Sequence, residues 1–127
     1  MVCPIVVPYV VDHKVQCYIN LIDYRAYEYK DGKATVVPMP DMGHRLEGLR
    51  TAINEAVAET SEELLDKFFS EGALTNDEIV AGIKVGLSQG ETIPIMGGSA
   101  LQNMGVINLM HEIVDLLPSP NERRPVL

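Results

Sequence analysis

Basic charge is the scarcest resource of this chain. Ten Lys and Arg stand against eighteen Asp and Glu in 127 residues, for a net charge of −8 and a pI near 4.7. The ten cations are dispersed, so no basic surface is available to displace counterions from a phosphate backbone, and direct nucleic-acid binding is disfavoured. A basic protein partner suits such a surface better. Only two cysteines occur, Cys3 and Cys17, too few for a disulfide framework, and both are read as free thiols on strands. No apolar run approaches the roughly 20 residues of a membrane span. The first eleven residues are apolar, but they contain Pro4, Pro8 and Tyr9 and have no basic lead, which argues against a signal peptide and for a cytoplasmic protein. His13, His44 and His111 share no ligand spacing such as His-x-x-x-His, so they are read as surface residues and no metal site is expected. No glycine-rich segment ends in Gly-Lys-Ser or Gly-Lys-Thr, so nothing here cradles phosphates. Ser99 has no local His or Asp partner and is not read as a nucleophile; no catalytic residue is assigned.

What remains is an ordinary globular composition, 46% apolar and 22% charged, in one domain's length of chain. Ile5 to Val10 is a near-continuous apolar run. After the polar turn Asp12-His13-Lys14, residues Val15, Cys17, Ile19 and Leu21 alternate with Gln16, Tyr18 and Asn20, the period of a half-buried strand. Tyr24 to Tyr29 predicts a third strand, Asp31-Gly32 a hairpin turn, and Ala34 to Val37 the return, ended by Pro38 and Pro40. The tyrosines are expected to pack on the sheet with their hydroxyls exposed.

The period then becomes helical. Leu46, Leu49, Ile53 and Val57 predict a helix beginning near Gly43. Thr60-Ser61-Glu62-Glu63 and Thr75-Asn76-Asp77-Glu78 both fit capping boxes and predict two more helices, ending near Gly72 and Gly90. A strand over Thr92–Met96, a loop over Gly97–Gly105 and a last helix follow. The buried stripe of that helix is expected to be Val106, Leu109, Met110, Ile113 and Leu117, and Pro118 and Pro120 close it. Met39, Met42, Met96, Met104 and Met110 are read as gap fillers. The fold class is α+β: N-terminal antiparallel strands, three helices, then a strand–loop–helix unit. A lone strand cannot make a sheet, so the late strand is expected to join the early ones or leave an exposed edge.

Two surfaces carry the functional reading. The first is the loop Gly97-Gly98-Ser99-Ala100-Leu101-Gln102-Asn103-Met104-Gly105. A tight loop after a strand can aim backbone N–H groups at a ligand carbonyl, and its small residues permit close approach. The second is acidic. On a 100° wheel with Leu46 at zero, Glu55 falls at about 180° and Glu59 at about 220°, both facing water. If the next helix continues roughly in line, Glu62 and Asp66 extend the strip.

Nearly the whole chain, from about Cys3 to Pro120, resembles one region of elongation factor G. Pro4-Ile5-Val6-Val7-Pro8, Tyr18-Ile19-Asn20-Leu21-Ile22-Asp23 and Arg25-Ala26-Tyr27 resemble the first strands of the G′ insertion within its GTP-binding domain. Ser61–Phe68 and Leu74–Ile79 resemble the insertion's paired helices. The most specific block is Gly98–Val106 with Val114-Asp115-Leu116-Leu117-Pro118-Ser119-Pro120, which resembles the guanine-recognition loop and the last helix of that domain.

The resemblance implies an insertion subdomain over 1–90, a terminal strand–helix unit of a GTP-binding domain over 91–120, and a tail over 121–127. It implies that Ser99, Ala100 and Leu101 line the guanine pocket of an intact GTPase that drives translocation on the ribosome. It also implies that Glu55 and Glu59, with Glu62 and Asp66, meet the basic C-terminal domain of the ribosomal stalk protein. GTP would be a ligand of the intact parent alone. With no phosphate loop and no Asn-Lys-x-Asp segment, no hydrolysis is expected from this chain by itself. Asp41-Met42-Gly43-His44 echoes the family's Asp-x-Pro-Gly-His motif but is one residue short, lacks the proline and lies after the insertion strands; it is read as a turn into a helix. Met96-Gly97-Gly98 departs from the family's Cys-Gly before the serine, and Met104 from its Asn-Lys-Gly. A ribosomal protection protein of the same superfamily, or a stand-alone α+β protein-interaction module, remain the alternative readings.

Overall fold

Four strands open the computed structural model, which describes residues 1–122: β1 (Val2–Val11), β2 (Lys14–Asn20), β3 (Arg25–Lys30) and β4 (Lys33–Val37). They form an antiparallel meander joined by tight turns. Two of these are two-residue turns, which need positive φ at both positions to match the strand twist. Asp31 (φ 51°) and Gly32 (φ 75°) satisfy this as the sequence predicts; Asp12 (φ 49°) and His13 (φ 63°) satisfy it without a glycine. Three helices follow, α1 (His44–Ala58), α2 (Glu62–Glu71) and α3 (Asn76–Gln89), then β5 (Ile93–Met96) and α4 (Val106–Leu116). β5 does join the early strands. It lies parallel to β1 and gives one five-stranded sheet in the order β4-β3-β2-β1-β5. The fold class is α+β. The tail beyond Glu122 lies outside the described residues.

The register puts Cys17 opposite Tyr9 and Ile19 between Val7 and Ala26, so Ile5, Cys17, Ile19 and Ala26 share one buried face. α1 covers it, with Leu49 and Met42 against Val7 and Tyr9. Val6, Tyr18, Asn20 and Tyr29 occupy the opposite face and are buried too, Tyr18 and Tyr29 meeting edge to face at 5.6 Å. Ile5, Ile19, Leu21, Ile53, Ile79, Ile83 and Leu116 are the largest fully enclosed aliphatic chains, each stabilising the fold by about 1.5–3 kcal/mol. Cys3 and Cys17 are free and buried. Tyr9 pairs with Cys17, so the two thiols lie six residues apart along β1, about 20 Å.

α3 packs through glycines. A Cβ on Gly82 would fall 2.3 Å from Val57 Cγ1 and 3.4 Å from Leu64 Cδ1, and one on Gly86 would fall 2.2 Å from Thr92 Oγ1. Nearer the start of α3, Glu78 pairs with Lys67. The partners of α3 therefore run Lys67, Leu64, Thr60 as α3 runs Glu78, Gly82, Gly86, so α2 is antiparallel to α3. Arg50 reaches Asn76 and Val57 reaches Gly82, so α1 runs with α3. Consequently α2 folds back on α1 rather than continuing it, and the two pairs of acidic residues do not form one straight strip.

Four further expectations are corrected. Thr75 and Glu78 form the capping box the sequence predicts, but Thr60 does not: the N-cap of α2 is Ser61, which makes no side-chain cap bond, while Thr60 Oγ1 donates to Val57 O. The local pattern failed there because the preceding helix captured the hydroxyl first. The third strand starts at Arg25, since Tyr24 sits in the preceding turn at φ 56°, its ring under the Arg50 guanidinium. The tyrosine hydroxyls are not all exposed: Tyr29 is buried and the Tyr27 hydroxyl donates to Asp23 Oδ2. The last correction concerns α4. Its buried residues are Glu112 and Leu116, whereas Leu109, Met110, Ile113 and Leu117 face outward.

Candidate functional site: the loop after β5 and the acidic helix face

β5 ends beside β1, where Gly97 N donates to Val6 O at 2.8 Å. The chain then makes a closed clip. Ser99 N donates to Met104 O and Met104 N to Ser99 O, both at 2.9 Å. Inside the clip, Asn103 N donates to Ala100 O at 3.2 Å and Gln102 N to Ser99 Oγ at 3.3 Å. Close approach of the two limbs explains the glycines: a Cβ on Gly98 would lie 3.0 Å from Met104 O, and Gly105 turns into α4 at φ 77°.

The three residues singled out by sequence sit together at the tip. Leu101 is 98% exposed, Ala100 is exposed and Ser99 is half-buried. Among the hydrogen bonds of the described residues, the N–H groups of Ala100 and Leu101 have no acceptor. Two adjacent backbone donors thus stand free beyond the C-terminal end of a strand parallel to its neighbour, the place where α/β sheets take ligands. Beneath the clip lies a mainly apolar crevice of about 220 Å³ between Val6, Met96, Met104 and Leu109. Asn108 reaches this crevice, and its Nδ2 is enclosed without a partner.

α4 is held to the sheet by its polar side. Asn20 Nδ2 donates to Glu112 Oε1 at 3.1 Å, while Asn20 Oδ1 accepts from Ile22 N and Asp23 N in the turn after β2. Burial pushes the Glu112 carboxyl up, the Asn20 bond pulls it back, and Asp115 and Asp23 add to the rise. The apolar side of α4 is left in water: Val114 is 77% exposed, and Met110, Ile113 and Leu117 flank it. Ile93 and Ile95 on β5, an edge strand of the sheet, are exposed as well.

Glu55 on α1 and Glu59 at its C-cap are both exposed, one turn apart, as the wheel predicts. Glu62 and Asp66 are exposed on α2, and Phe69 joins them on the same strip with 77% of its surface in water. Phe69 was not singled out by sequence, because two adjacent phenylalanines in a helix read as core; only Phe68 packs inward. Asp41 and Gly43 form the turn expected there, Gly43 N donating to Asp41 Oδ1 at 2.9 Å before α1 begins. His44 and His111 are exposed, and His13 lies in the first hairpin turn.

No protein-family profile matches the chain. Among solved structures it is similar to the crystal structure of a protein from Thermus thermophilus, with a TM-score of 0.84 and 28% identity. The likeness covers 96% of this chain but 19% of that one, so the chain spans about a fifth of the length of the structure it matches.

Proposed function

We propose that this chain is part of a translational GTPase of the elongation factor G type, supplying one wall of its guanine site and a docking face for the ribosomal stalk protein. The observation that carries this reading is the clip at Ser99–Met104 with its free Ala100 and Leu101 amides. Adjacent N–H donors on a hydrogen-bonded turn suit the carbonyl edge of a purine, and forming the turn beforehand lowers the ordering cost on binding. The residues fit one edge of a base and no more. Nothing in the sequence fits the phosphates, so no phosphoryl-transfer step is assigned to this chain.

The outward apolar face of α4 supports the same reading. A helix that turns Met110, Ile113, Val114 and Leu117 to water, beside exposed Ile93 and Ile95, has the surface of a layer that a further part of a protein covers. The acidic face suits a basic partner. Glu55 and Glu59 steer and orient such a partner, while Glu62 and Asp66 on α2 add charge beside Phe69, an exposed apolar anchor on the same helix.

Titration of this chain with the isolated C-terminal domain of a bacterial stalk protein tests the docking half of the proposal. Saturable binding is expected, weakening as salt rises and lost in the double reversal Glu55→Lys/Glu59→Lys. Binding that the double reversal leaves unchanged would show that this face is not the site.

A further inference from the structure

The C-terminal limb of the clip does not hang free. Met104 lines a small crevice together with Cys17, Tyr18, Glu28 and Tyr29 of β2 and β3. Asn103, one residue earlier, lies directly on the turn between β3 and β4: an ideal Cβ at Gly32 would fall 2.5 Å from Asn103 Nδ2 and 3.5 Å from Asn103 Cγ. Both residues hold positive φ, 75° at Gly32 and 52° at Asn103. Gly32 therefore meets two demands at once. Its turn requires the left-handed region, and a methyl group there would displace the Asn103 side chain now seated on it.

We propose that the β3–β4 turn positions the clip, acting through Asn103 on Gly32, so that the early hairpin sets where the Ala100 and Leu101 amides stand. The inference rests on reading the clip as the base-recognising element, since that reading gives its position a consequence. Gly32 and Asn103 are positioning residues on this account, 71 positions apart in sequence and joined only by the fold. The arrangement is one-sided. Asn103 and Met104 lie against the sheet, while the N–H groups of Ala100 and Leu101 at the tip have no acceptor among the described residues. A displacement of Asn103 is therefore passed through the paired Ser99 and Met104 amides to the tip.

A double-mutant cycle isolates the contact. Gly32→Asn keeps the turn, because Asn tolerates positive φ, but places a Cβ where Asn103 now sits. Asn103→Gly keeps the positive φ of the clip and removes the side chain. The readout is amide hydrogen exchange by NMR on the 127-residue chain, at Ser99 and Met104, with the amides of α3 as the reference for an intact fold. Gly32→Asn is expected to speed exchange at Ser99 and Met104 by about tenfold, and by less than about twofold when Asn103 is already Gly. Asn103→Gly alone is expected to speed exchange in the clip and leave α3 unchanged, which keeps the inference testable if Gly32→Asn fails to fold. An equal effect of Gly32→Asn in both backgrounds, or unchanged exchange in the clip on removing Asn103, overturns it. No nucleotide enters this measurement, so its failure is distinct from failure of the base-recognition reading.

Discussion

Gly48 and Gly86 both lie inside helices, yet replacing them by Ala should move stability in opposite directions. Gly48 is exposed on α1, and nothing lies within 4 Å of the position a Cβ would take. Ala there relieves the entropic cost of a helical glycine, a gain of about 0.5–1 kcal/mol. Gly86 gains the same helix propensity, but its Cβ would lie 2.2 Å from Thr92 Oγ1, 2.9 Å from Thr92 Cβ and 3.3 Å from Thr60 Cγ2. Thr92 is buried, and Gly86 O accepts from Thr92 N at 3.1 Å, so Thr92 cannot swing aside without moving its backbone. Overpacking of this kind costs about 2 kcal/mol, which leaves a net loss of about 1–1.5 kcal/mol after the propensity gain. An unfolding entropy of about 2.1 cal/mol/K per residue gives about 0.27 kcal/mol/K for the 127-residue chain. Gly86→Ala should thus lower Tm by about 4–6 °C, and Gly48→Ala should raise it by about 2–4 °C, measured by thermal unfolding under one set of conditions. A Gly86→Ala protein as stable as the parent would refute the close approach of α3 to Thr92, the residue that leads into β5.

Three more outcomes follow from particular residues. The folded-state carboxyl of Glu112 titrates above its ordinary value of 4.5, so its contribution is most favourable below that value and is lost as pH rises through the raised one. Glu112→Gln, which keeps the partner of Asn20 and removes the charge, should flatten that part of a stability–pH profile and raise stability at neutral pH; an unchanged profile would count against the buried pair. Val114→Lys, at a site 77% exposed, should change stability by less than about 0.5 kcal/mol by denaturant unfolding and reduce any self-association seen in sedimentation; a loss above about 2 kcal/mol would mean the side chain is buried. Ile83→Ala removes a fully enclosed core side chain of α3 and should cost about 2–5 kcal/mol in the same assay.

The parts of the fold written in local pattern were legible. Alternation located β2, although both its faces are buried from Cys17 to Asn20 and Val15 is exposed, so it is not the half-buried strand that the period suggests. The helical repeat placed α1, and Thr75-x-x-Glu78 with Gly90 bounded α3, signals satisfied by neighbours in sequence. Signals decided by distant partners misled. The apolar residues of α4 suggested a buried stripe, but Glu112 turned inward because Asn20, 92 residues away, offered it a donor. Thr60 looked like a cap until the end of α1 claimed its hydroxyl. For the candidate site, Ser99, Ala100 and Leu101 could be singled out from the glycine spacing around them. Their support on Gly32 could not be, since nothing in the hairpin sequence Lys30-Asp31-Gly32-Lys33 says what rests on it.

The proposed recognition of guanine by this clip, within a larger GTPase, is tested most directly by a transplant. An elongation factor G whose insertion and terminal strand–loop–helix are replaced by residues 2–120 of this chain would be assayed for GTP and ATP binding, with circular dichroism to confirm folding. GTP affinity within about tenfold of the unmodified factor, with preference over ATP retained, is the expected result. A folded chimaera that binds neither nucleotide, or no longer tells them apart, would contradict it.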